Sequence, residues 1–158
     1  MCSDTIKYAG IDGCSDGWFC VRLGRNGEWE FSLLPDASSL LKITRSSGLV
    51  LIDIPIGLME SGREERECDR LARQLLGPRR ASSVFPSPAR RTLDAVTYEE
   101  ALRLNRAQTE RGISLQTWNI TPKIREIDDL LTEHPCLIGV IRECHPELCF
   151  WSLNHGVP

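Results

Sequence analysis

Residues Lys7 to Leu34 read KYAGIDGCSDGWFCVRLGRNGEWEFSLL, and this stretch decides the fold class. Residues 5–12 read as a first strand, Ser15-Asp16-Gly17 supplies a turn, and residues 18–24 extend again. Asn26-Gly27 is a strong hairpin signal, because both residue types tolerate positive φ. Beyond it Trp29, Phe31 and Leu33 alternate with Glu28, Glu30 and Ser32, the pattern of a half-buried strand. Three strands on two tight turns make an antiparallel meander. It carries one oddity, the ionisable Asp12 at the end of an otherwise apolar strand, where burial is costly. Either Asp12 is a turn residue that stays in water, or it belongs to a metal or phosphate site.

Downstream, Asp36 is placed to cap a helix over residues 37–46. The run GLVLIDIPIGL then gives apolar residues from Leu49 to Ile54 broken only by Asp53, which reads as a strand covered on both faces and paired in parallel. Ser61 with Glu64 forms a capping box before a helix ending at Gly77-Pro78, with Cys68, Leu71, Ala72 and Leu75 inward. Thr97 with Glu100 caps a helix reaching to about Glu110. Thr121-Pro122 opens another, with Ile124, Ile127 and Leu131 inward. CLIGVIREC (136–144) reads as a fifth strand, and HPELCFWSL opens a last helix with Pro146 near its first position. The order βββ-α-β-ααα-β-α predicts an α/β fold. Its mixed five-stranded sheet combines the three-strand meander with two parallel strands and carries flanking helices. At 158 residues the chain suits a single domain, with no repeat or linker inside it.

Composition narrows the function. No apolar run approaches the ~18 residues needed to cross a bilayer, and the N-terminus lacks a signal-peptide core, so neither a membrane span nor secretion is expected. Seven cysteines, odd in number and without a CxxC pair, favour free thiols in a reducing cytoplasm. Cys144, His145 and Cys149 are at most a partial metal site, since no fourth soft ligand accompanies them. The net charge is −3, yet eight Arg face four acids between Arg63 and Arg91, a local +4 that leaves −7 for the remainder. An acidic chain with one basic stretch fits a local phosphate contact better than a broad nucleic-acid surface. Helical pairs such as Arg63–Glu67 and Asp69–Arg73 are the competing explanation for that stretch.

Asp12 closes the first strand, Asp53 lies late in the fourth and Glu143 closes the fifth. If those strands are the parallel ones, all three acids fall on the carboxyl edge, where open α/β sheets bind ligands. Carboxylates gathered there repel one another unless a hard cation such as Mg²⁺ or Mn²⁺ lies between them. Two such ions suit phosphodiester hydrolysis. Glu147, four residues after Glu143, is a further ligand candidate or a charge at a helix N-terminus.

The motifs GIDGCSDGW, LIDIPIGL, RECDRLARQLLGPRRASSVFPSPAR, QTWNITPKIREID and RECHPELCF together resemble the family catalogued as domain of unknown function 429. The resemblance spans about residues 8–155, and it implies a ribonuclease H-like fold and a metal-dependent nuclease. It places Asp12, Asp53 and Glu143 at the acidic catalytic and metal-binding positions. The loop with Ser82, Ser83, Phe85 and Arg90, and the segment Gln116 to Asp128 with Lys123, are its other signatures. Two hydroxyls, several guanidiniums and stiffening prolines suit gripping a phosphate, so Ser82, Ser83, Arg90 and Lys123 are expected to bind substrate. Lys123, read in the first turn of its helix and against the dipole, points the same way. Arg66, Asp69 and Arg73 read better as an internal ion-pair network. Members of the resembled family usually continue past NHGVP, so the resemblance implies a C-terminally truncated domain. Such a domain would lack one metal ligand and leave an apolar sheet face uncovered, so weaker metal binding and either self-association as a homo-oligomer or a poorly covered groove are expected. The expected partner is nucleic acid or another phosphodiester. A non-catalytic binding module of the same fold is the main alternative. A phosphotransferase of the actin-like or sugar-kinase class ranks below it, because neither a glycine-rich phosphate loop nor a second half is evident.

Overall fold

A computed structural model describes residues 8–157. The chain divides into two compact units, Met1–Ile56 with Glu126–Cys144, and Gly57–Arg125 with His145–Pro158. The first holds the sheet: β1 (Tyr8–Cys14), β2 (Gly17–Leu23), β3 (Trp29–Leu34), β4 (Leu49–Ile52) and β5 (Ile141–Glu143). The strand order is β3-β2-β1-β4-β5, with β1 antiparallel to β2, β2 antiparallel to β3, and β1, β4 and β5 parallel. That is a mixed α/β sheet of the ribonuclease H-like arrangement.

Local chemistry makes the meander. At Gly17 (φ 133°) a Cβ would run into the Leu34 carbonyl, so only glycine lets β2 begin beside the end of β3. Between β2 and β3, Gly24 N–H donates to Glu28 O at 2.8 Å, and Gly27 (φ 85°) supplies the left-handed residue. Asn26 does not share that conformation, so the turn is a longer glycine-dependent loop, not the two-residue Asn-Gly hairpin. β1 continues to Cys14, two residues past its expected end, because its ladder with β2 runs down to the Cys14–Gly17 pair. The expected start of this strand at residues 5–7 lies outside the described residues.

The two faces of the sheet differ sharply. Ala9, Ile11, Trp18, Cys20, Val50, Ile52 and Ile141 lie on one face and are buried. The helix α1 (Leu40–Ser46) buries Leu40 and Ile43, and the later part of α4 (Leu115–Glu133) buries Ile127, Leu130 and Leu131. Glu126 joins these elements: its Oε2 accepts from Trp18 Nε1 at 2.8 Å and from Ala37 N–H at 3.2 Å. Burial pushes the Cys20 thiol pKa up, with Arg22 acting in the opposite direction. The other face carries Phe19, Val21, Trp29, Phe31 and Leu33, all exposed. The alternation expected for β3 is present, but it is Ser32 and Leu34 that share the row direction of the buried Cys20 and Trp18. Trp29 is therefore not a core residue.

The second unit is helical, with α2 (Glu67–Arg80), α3 (Tyr98–Thr109), the first part of α4 and α5 (Pro146–Leu153). α2 begins six residues after Ser61 and breaks at Gly77 (φ 68°) before Pro78, as the Gly-Pro pair predicts. Its buried residues are Asp69, Ala72 and Leu76, not the expected stripe of Cys68, Leu71, Ala72 and Leu75. The reason is Asp69, drawn inward by a two-pronged bond from buried Arg66, at 2.9 and 2.6 Å. Ala72, Leu76 and Val84 then form a small core with Leu148 and Trp151 against it. Thr97 caps α3 as expected, its side chain accepting from Glu100 N–H, while the Glu100 carboxylate reaches past the N-cap and accepts from Val96 N–H.

α4 starts at Leu115, six residues before the expected Thr121-Pro122 start. Ser114 provides the cap by accepting from Thr117 N–H at 3.0 Å. Pro122 then sits inside the helix and cannot bond the Trp118 carbonyl. The Thr121 hydroxyl donates to that same carbonyl at 2.7 Å, which gives it a donor in place of the missing proline N–H. β5 is shorter than the expected 136–144, because Pro135–Gly139 coils into a 3₁₀ turn first.

Candidate functional site

Ile11 of β1 is in register with Ile52 of β4, and Ile52 with Glu143 of β5. Asp53 N–H donates to Ile11 O at 3.2 Å, and Cys144 N–H donates to Ile52 O at 2.9 Å. These bonds carry the parallel ladders one step past the last paired residues. They place the backbones of Asp12 and Asp53 next to each other at the carboxyl ends of adjacent strands. Both residues are exposed, and Asp12 lies on the face opposite Ile11. Glu143 shares the same edge but belongs to the row of Ile11 and Ile52, hence to the covered face. It is half-buried, and its Oε2 accepts from Ile56 N–H at 2.9 Å. The loop leaving β4 is thereby tied to the end of β5. Among the described residues no group of three or more His, Cys, Asp and Glu stands ready to hold a metal ion.

The remaining sequence candidates belong to the second unit. Ser82 is exposed, and Ser83 Oγ donates to Arg80 O at 2.8 Å. Arg90 Nε donates to Glu60 Oε1 at 2.7 Å while its backbone N–H bonds Met59 O. Glu147 sits in the first turn of α5, where its carboxylate pairs with Arg80 at 3.3 Å. His145 precedes that helix with Nε2 3.1 Å from Ser83 O. Lys123 is two turns into α4, so the dipole hint drawn from a first-turn position does not apply.

The basic stretch is mostly matched within its own unit. Arg66 pairs with Asp69, Arg70 with Glu67, Arg73 with Glu65, Arg63 with Glu110, Arg80 with Glu147 and Arg90 with Glu60. The expected pairs Arg63–Glu67 and Asp69–Arg73 give way to these, because Arg66 claims Asp69 and Arg70 claims Glu67. Of the internal network expected for Arg66, Asp69 and Arg73, the Arg66–Asp69 pair is present, while Arg73 pairs with Glu65 instead. Arg73 also donates from Nε and Nη2 to Val84 O at 3.0 and 2.8 Å, and burial, then the nearby Arg111, lowers its pKa.

A family model described as protein of unknown function, DUF429, matches residues 10–158. The chain belongs to the DUF429 family. No curated protein and no solved structure matches it. Among this DUF429 chain's key residues, Asn105 and Glu126 escape sequence reasoning. Asn105 Oδ1 accepts from Ala89 N–H and the Thr92 hydroxyl, while Nδ2 donates to Thr109, Arg111 and Gly112 oxygens. One buried amide thus anchors the end of the Ser82–Arg90 loop. The only signal was an Asn in a helix interior, where that residue is a poor helix former.

Proposed function

We propose that this chain hydrolyses phosphodiester bonds using Mg²⁺ or Mn²⁺ held at the carboxyl edge of β1 and β4. One observation carries the reading: the β1–β4 ladder brings Asp12 and Asp53 together at the ends of neighbouring parallel strands. Open α/β sheets bind ligands at such ends. A cation between two exposed carboxylates at such strand ends would favour their charged forms, and their oxygens match hard divalent ions. Asp12 and Asp53 are the ligands in this reading. Glu143 lies on the covered face and accepts from Ile56 N–H, so it does not gather with them into a group of three, and its part as the third acid rests on the shared sheet edge alone. Held by Asp12 and Asp53, such an ion would supply Lewis-acid chemistry for a phosphodiester and for an attacking water. The chain's own contribution is to hold the two strand ends side by side through backbone hydrogen bonds. Ser82, Ser83, Arg90 and Lys123 as phosphate contacts rest on the family resemblance and on residue chemistry, and Glu147 as a further ligand on its spacing from Glu143. The substrate class is nucleic acid or a smaller phosphodiester.

A cleavage screen over RNA, DNA, branched DNA and small phosphodiesters, with Mg²⁺ and with Mn²⁺, tests the proposal. Activity should appear with metal, vanish in excess chelator and be lost in Asp53→Asn. Cleavage that survives either treatment refutes the mechanism. A second reading, a non-catalytic binding module, is favoured by the commitment of Glu143 to Ile56 N–H. It predicts that Asp12→Asn leaves partner binding intact and that no substrate is turned over.

A further inference from the structure

The meander leaves one broad surface in water. On β2 and β3 the pairs Phe19–Leu33, Val21–Phe31 and Leu23–Trp29 are in register, giving three consecutive apolar rows on one face. Trp29 is 68 % exposed, Phe31 64 %, Leu33 53 % and Phe19 45 %. The rings are contiguous, with Phe31 stacked on Phe19 at 5.9 Å and on Trp29 at 6.5 Å. No charge interrupts the rows, because Arg22 and Glu30 point to the opposite face, where they pair at 3.1 Å.

Aromatic side chains present roughly 150–250 Å² each, so at these exposures the six residues offer on the order of 500 Å² of apolar surface. A monomer rarely leaves more than a few hundred Å² of contiguous apolar patch in water. A standard interface uses about 800 Å² per partner, with its apolar part at the centre, and this patch has the size of such a centre.

We propose that this face joins two copies of the chain, packed sheet on sheet about a two-fold axis. A two-fold interface brings the same patch against itself, so it must be self-complementary. An uncharged set of apolar rows meets that condition, whereas an ionic partner would find only Asp12, beside Phe19 at the edge of the patch. Aligned sheets pack about 10 Å apart with their inner side chains interdigitated, which suits rows built from two adjacent strands. Nucleic acid is a poorer fit to the same rings, since stacking platforms depend on flanking cations and these rows contain none. The inference is independent of the hydrolase reading.

Sedimentation analysis of the full chain across micromolar concentrations is the test. The wild type should be a dimer. Phe31→Glu and Trp29→Lys should each weaken association by about a hundredfold or more, because each change enters a two-fold interface twice. Both positions are exposed, so the urea midpoint measured on the monomer should hardly move. Phe150→Glu, at an exposed aromatic of the other unit, should leave the dimer intact. A monomer at every concentration overturns the proposal, as do open-ended higher species, a dimer that survives Phe31→Glu and Trp29→Lys, or one abolished by Phe150→Glu. Quenching of Trp29 emission by a short RNA bound to a monomeric chain also overturns it.

Discussion

The two faces of the same five strands obey opposite rules. On one, Ile11, Trp18, Cys20, Ile52 and Ile141 are buried, and several polar groups beside them have partners, although Ser32 Oγ and Arg22 Nε have none among the described residues. Glu126 takes the Trp18 indole N–H and the Ala37 N–H, and Arg22 meets Glu30. On the other, Phe19, Trp29 and Phe31 stand in water on the meander, and the exposed Asp12 lies on the same side of β1. Apolar content does not separate the faces, since the open one has more aromatic rings. What marks the covered face is its polar boundary, where a buried indole N–H needs an acceptor and a helix supplies it. Alternation along a strand identifies its two sides but does not say which side is covered.

The largest effect that would break this comparison comes from the two tryptophans. Trp18→Ala should cost about 3–5 kcal/mol by urea denaturation, as for a large buried aromatic. Trp29→Ala, measured at concentrations where the chain is monomeric, should fall within about 0.5 kcal/mol. Similar losses at both positions would mean that the faces are not different. Glu126→Ala sharpens the comparison by leaving two donors without their acceptor, at about 1–3 kcal/mol, and Glu126→Gln should recover part of the loss.

A smaller effect concerns Asp36, which opens the segment leading into α1. Its carboxylate accepts from the Ser38 hydroxyl at 2.7 Å and from Ser39 N–H at 2.9 Å, and these bonds lower its pKa. A carboxyl with a depressed folded pKa stabilises fully above its unfolded value, about 3.9, and stops doing so as pH falls through the folded value. Asp36→Ala should therefore lower the urea midpoint slightly at neutral pH, and the difference from wild type should disappear in acid. A difference that persists unchanged at pH 2 would contradict the capping role.

Much of the fold was legible because it rests on local signals. Two turns with glycine at the obligatory positions, an apolar run at β4 and caps at Asp36 and Thr97 fix the meander, the fourth strand and the helices that those two caps open. The misreadings share a cause, which is that a distant partner decided them. Arg66 drew Asp69 inward and rotated the buried stripe of α2. The Thr121 hydroxyl made Pro122 tolerable and let α4 start early. The covering helices took the Trp18 side of the sheet and left Trp29 in water. For the site, the shared edge of Asp12, Asp53 and Glu143 was readable, since strand ends and parallel pairing follow from pattern. The row occupied by Glu143 was not, because register depends on where β5 begins, and the 3₁₀ turn at Pro135–Gly139 shortened it.

The central claim is that Asp12 and Asp53 form a cation site on neighbouring strands. Titration of Mn²⁺ into the full chain, following the free ion by electron paramagnetic resonance, tests it most directly. Saturable binding is predicted, weakened at least ~10-fold in Asp12→Asn and in Asp53→Asn while far-ultraviolet circular dichroism stays the same. Binding of equal strength in the wild type and both variants would contradict the account.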